Sequence, residues 1–70
     1  VIDVTDRHPA TVHIVKYFAW DHLNDPLAEV SRIFEHAVSE VLARVEDGPE
    51  LTVSLRKMLE AKDAAVRAAL

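Results

Sequence analysis

The chain has 70 residues, half of them apolar, with one glycine, three prolines, no cysteine and a formal charge of −4. That composition suits one small folded unit and no disordered tail, and it excludes disulfides, thiolate metal sites and cysteine nucleophiles together. The acid excess argues against a broad basic surface gripping duplex DNA or RNA. No run approaches the ~20 apolar residues of a membrane span and no leader pattern precedes the first polar stretch, so a cytoplasmic protein without membrane partners is expected. A monomer of this length buries only about 60% of the surface its unfolded chain exposes, so self-association is expected too.

Residues 1–25 read as an N-terminal segment and connector. Within them Pro9 to Phe18 is expected to form a short helix starting at Pro9, with Val12, Val15 and Phe18 turned inward. The β-branched and aromatic run Thr11 to Phe18 also suits a strand. Tyr17-Phe18-Ala19-Trp20-Asp21-His22 then makes an aromatic connector. Asp25-Pro26 reads as an N-cap followed by proline at the first helical position, and Gly48-Pro49 as a stop and a restart. Two long helices are expected over 26–46 and 49–70, each about 30 Å long, and their short connection folds them back antiparallel. The expected fold class is all-α: a short N-terminal helical segment and an antiparallel two-helix hairpin, one domain over residues 1–70, assembled as a homo-oligomer.

In the first long helix Leu27, Val30, Phe34, Ala37, Val38, Val41, Leu42 and Val45 share one face, while Ile33 falls outside that stripe. In the second, Leu51, Leu55, Met58, Ala65 and Ala69 form a stripe with Lys62 near its centre. An ammonium there must snorkel, pair with a carboxylate or bind an anion. The last two turns are small, with Ala61, Ala64, Ala65, Ala68 and Ala69 admitting close approach of a partner helix or leaving room for a ligand. Residues 21–50 are acidic, with only Arg32 and Arg44 as cations, whereas residues 51–70 carry Arg56, Lys57, Lys62 and Arg67 against Glu60 and Asp63. Either these helices attract each other or copies of themselves, or the basic half holds a small anion site.

One glycine cannot build a Walker loop or a dinucleotide-binding turn, both of which need several. No nucleophile elbow surrounds Ser31, Ser39 or Ser54. The spacings of His8, His13, His22 and His36 match no standard zinc motif. Asp21-His22 is half of a catalytic relay with no nucleophile or electrophile to complete it. No enzyme, catalytic residue, metal or cofactor is therefore expected. A binding site is easier to assemble: Trp20 offers a plane on which a base stacks for ~1–3 kcal/mol, and Lys62 or Arg67 can neutralise phosphate. Structural roles remain open beside these. Trp20 can staple the N-terminal segment onto the hairpin, Arg32 can pair with Glu29, Glu35 or His36, and Arg67 can pair with Glu60 or Asp63, of which only Asp63 is at helical contact spacing.

The aromatic pair Phe18-Ala19-Trp20, the proline-bearing lead Asp21 to Pro26, the second-helix run Leu51 to Ala61 and the alanine-rich end that follows resemble the phage-encoded anti-CBASS and anti-Thoeris hairpin proteins. The likeness covers roughly residues 18–70. It implies non-catalytic capture of cyclic di- or trinucleotides, or of cyclic ADP-ribose signals, in the cytoplasm of an infected bacterium. It also implies a homo-oligomer, a dimer or a larger assembly such as a hexamer, with pockets between protomers. Trp20 matches the position whose aromatic ring, usually tyrosine, stacks on a base, and Arg32 is the nearest match to the first-helix residue that contacts phosphate. The ligand-binding candidates are thus Trp20, His22, Arg32, Lys62 and Arg67.

Overall fold

Each α-helix among the described residues starts within one residue of a proline, because a fixed φ and a missing N–H suit the first turn. A computed structural model describes residues 2–70. Helix α1 spans Pro9–Val15, and its cap is His8, whose Nδ1 accepts the Ala10 N–H at 3.0 Å. A 3-10 turn, Lys16–Phe18, continues it. Helix α2 spans Asp25–Leu42 and α3 spans Pro49–Ala68. The described residues are all helix, turn or coil, with no strand, so the strand alternative over Thr11 to Phe18 falls away.

Three expectations shift at the edges. The cap of α2 is Asn24 and not Asp25: the Asn24 Oδ1 accepts the Leu27 N–H at 3.4 Å, which puts Asp25 inside the first turn. There a carboxylate favours the positive end of the helix dipole. The same helix stops at Leu42, four residues short of 46. The Arg44 and Val45 amides both close on the Val41 carbonyl, while the carbonyls of Leu42 and Val45 accept from the Arg7 guanidinium at 3.4 and 2.9 Å. A side-chain donor from the N-terminal segment thus satisfies carbonyls left over at the helix end. Helix α3 ends at Ala68, two residues before 70, with Ala69 as its cap.

The core draws on all of these elements. Phe18, Val38 and Leu55 are fully buried, and Ile14, Val15, Leu42 and Leu51 surround them. Ile2, Val4, Phe34, Val41, Met58 and Leu59 close the cluster from its edges. Each fully buried Phe, Leu or Val contributes about 1.5–3 kcal/mol of transfer free energy. Helices α2 and α3 share the most extensive contact, α1 packs against α3, and the 3-10 turn touches both long helices. The molecule measures 33 × 19 × 18 Å, so its length is set by α3, about 30 Å at 1.5 Å per residue.

Two of the three residues expected to turn inward at α1 and the turn after it do so. Val15 and Phe18 face inward, but Val12 is exposed, and Thr11 and Ile14 take the inner positions. Thr11 can be buried because its hydroxyl donates to Asp47 Oδ1 at 2.7 Å. On α2 the inward stripe also includes Ala28 and Ser31, Val45 lies outside it, and Ile33 is 66% exposed. No described helix is long and apolar enough to cross a membrane.

Candidate ligand-binding site

Two polar clamps position the N-terminal segment, and with it the aromatic connector. The first begins at a turn in which Thr5 N–H donates to Asp3 Oδ1 at 2.9 Å and Arg7 N–H to the Val4 carbonyl at 3.1 Å. Asp6 takes a left-handed φ of 62° in that turn, a conformation aspartate tolerates better than most residues. The turn sends Arg7 to the end of α2. There its Nε lies 3.2 Å from Asp47 Oδ1, as an ion pair without hydrogen-bond alignment on that nitrogen. Asp47 also accepts the His8 N–H at 2.8 Å. The His8 amide, then the Thr11 hydroxyl, hold the Asp47 carboxyl below its ordinary value, and the Arg7 charge adds to them.

Lys62 makes the second clamp. Its side chain is 12% exposed, and its ammonium donates to the Tyr17 carbonyl at 2.8 Å with Asp63 Oδ1 3.6 Å away. Of the three roles open to a lysine on that stripe, carboxylate pairing is present, but the shorter contact goes to a main-chain carbonyl in the middle of the 3-10 turn. Asp63 is therefore partnered by Lys62 and not by Arg67, for which no ion pair is found among the described residues. The lysine pins the chain three residues before Trp20.

Trp20 and Arg32 meet. The guanidinium carbon of Arg32 lies 4.7 Å from the Trp20 ring centroid, so a cation covers one face of the indole. Arg32, for which the sequence also allows pairing with Glu29, Glu35 or His36 along its own helix, makes this contact across elements. Beside Trp20 opens a pocket of about 430 Å³. Ile2, Val15 and Phe18 give it an apolar lining, and Lys16, Asp21 and Glu35 add charge. That volume falls in the range of small-molecule sites. Lys16 Nζ also sits 5.5 Å from the centroid of the Tyr17 ring, which is itself edge-on to His13.

The remaining candidates lie apart from this pocket. His22 is exposed in the turn after Trp20, and Arg67 is exposed on the last turn of α3; neither lines it. Lys62 supports the connector and does not line the pocket either. Reading the sequence missed Lys16, Asp21 and Glu35 as pocket residues, and missed Arg7 and Asp47 as the clamp. The one visible signal for the clamp was a pair of opposite charges, Arg7 and Asp47, each two positions before a proline. Among the described residues no three His, Asp or Glu side chains gather as metal ligands. No protein-family model matches the chain, and no curated protein or solved structure matches it.

Proposed function

We infer that this protein sequesters cyclic oligonucleotide second messengers of bacterial anti-phage immunity, without catalysis, as a phage product acting in the host cytoplasm. The observation that carries the reading is the Trp20–Arg32 pair, in which Trp20 also lines a 430 Å³ pocket. An indole plane and a guanidinium held together suit a ligand that offers a flat base and a phosphate at once. The pocket has room for one nucleoside-sized group, so the rest of a cyclic dinucleotide lies outside it. In this reading α2 and α3 form a hairpin that assembles with copies of itself, and the neighbouring protomer covers what protrudes. Ala61, Ala64 and Ala68 are exposed on α3 and leave room for the close approach that such packing requires.

Isothermal titration with cyclic di- and trinucleotides and cyclic ADP-ribose signals tests it. Binding to at least one, with intact nucleotide recovered on denaturation, is expected. Trp20→Ala should weaken that binding by about 1–3 kcal/mol, the worth of a stacked base. A flat response to every ligand sinks the reading.

A second reading has its own observation. Val12, Tyr17, Ile33 and Val53 are all large, apolar and exposed, on four different elements, as in a helical module that docks on a protein of the host or phage. A ligand bound only by the native state raises the melting midpoint. A pull-down of one host protein, together with a midpoint indifferent to every cyclic nucleotide, favours docking.

A further inference from the structure

The pocket beside Trp20 is lined mainly by apolar side chains, with Asp21 among its few charged ones. An apolar lining suits a base better than a phosphodiester, so the phosphates belong at the Arg32 side of Trp20 and the pocket itself takes a base. Asp21 is exposed beside the indole, and its carboxylate has no hydrogen-bond partner among the described residues. It follows Trp20 directly in the chain, in a connector fixed by Lys62 on the Tyr17 carbonyl and by the Leu23 N–H on the Trp20 carbonyl at 3.0 Å.

A carboxylate only accepts hydrogen bonds, through two oxygens in one plane. Among the nucleobases guanine alone turns two adjacent donors, N1–H and the N2 amino group, toward such a pair. Adenine offers one amino group beside an acceptor nitrogen, and uracil one N–H between two carbonyls that the carboxylate would repel. We propose that the Trp20 pocket selects guanine, with Asp21 as the residue that reads its Watson–Crick edge. This rests on the cyclic-nucleotide reading above and adds a base preference to it. Charge-assisted bonds in matching pairs discriminate strongly when buried and less when water competes. For an exposed carboxylate the preference is therefore about tenfold.

The test titrates the full-length chain with cyclic di-GMP, cyclic di-AMP and cyclic di-UMP, then repeats the series with Asp21→Asn. The asparagine keeps the size but replaces one acceptor by a donor that faces a guanine donor. The expected result is a Kd for cyclic di-GMP at least about tenfold below the other two, and a ratio near one in the variant. Because Asp21 is exposed, circular dichroism should show the variant folded like the parent. Equal affinity for the three rings, or a guanine preference that survives Asp21→Asn, overturns the proposal while leaving nucleotide capture standing. No binding to any of the three rings overturns the guanine proposal, and the capture reading falls with it only when cyclic trinucleotides and cyclic ADP-ribose signals give a flat response as well.

Discussion

Ser31 puts a hydroxyl in the middle of α2 with 0% of the residue exposed and no hydrogen-bond partner among the described residues. A buried donor left unbonded costs about 1–3 kcal/mol, and serine is also a poorer helix former than alanine. Ser31→Ala should therefore stabilise the fold by about 1 kcal/mol, a rise of several degrees in melting midpoint for a domain of this size. A midpoint that stays level or drops would mean that the hydroxyl has a bonded role in solution. Lys62 presents the opposite case, a charged group whose bond is made. Lys62→Met keeps an apolar stem on the stripe but takes the donor from the Tyr17 carbonyl. A loss of about 1 kcal/mol is expected, since that carbonyl can turn to water. The loss should be read by chemical denaturation; greater stability in the variant would mean that the ammonium is held against its own desolvation and is kept for another purpose.

At the scale of elements, the N-terminal segment is part of the core. Phe18 is the largest fully buried side chain and sits at the end of the 3-10 turn. Phe18→Ala should cost about 3–5 kcal/mol, a large share of the 5–15 kcal/mol typical of whole domains. Near-native stability in that variant would show that α2 and α3 hold together without the segment. The starts of the helices were legible in the sequence because Pro9, Pro26 and Pro49 act locally. The end of α2 was not, because the donors that meet its carbonyls come from Arg7, 35 and 38 residues away. The same holds for Thr11, which takes an inner position that a hydrophobicity pattern gives to Val12, because Asp47 waits for its hydroxyl across the fold. Lys62 was legible as a misfit on its stripe, yet its partner is a main-chain atom that no residue type announces. For the candidate site, Trp20 and Arg32 were each visible as chemistry, whereas their meeting and the charged lining of the pocket are tertiary facts.

The molecule as a whole should be sensitive to acid. Asp47 and Asp3 both have carboxyl groups held below the ordinary 3.8, by the His8 amide and by the Thr5 amide respectively. Stability from a depressed carboxylate is fully present above the ordinary value and is lost as pH falls through the lower folded one. The melting midpoint should accordingly be level with respect to these two groups above about pH 5 and fall below about pH 4. Asp47→Asn should start from a lower midpoint near neutrality and decline less steeply in acid, because Asp3 alone then carries the effect. Parallel declines in parent and variant would remove Asp47 from the account. The acid step weakens the Arg7 ion pair and the His8 amide bond together, since one carboxylate serves both, while the Arg7 bonds to the Leu42 and Val45 carbonyls stay.

Trp20 is the one tryptophan in the chain, and a guanidinium stands over its ring. Its ultraviolet emission is thus an undivided signal from a single place, bright or quenched according to what lies against the indole. Occupancy of that place can be followed by light alone, with no dye attached and no background from a second fluorophore of the same kind.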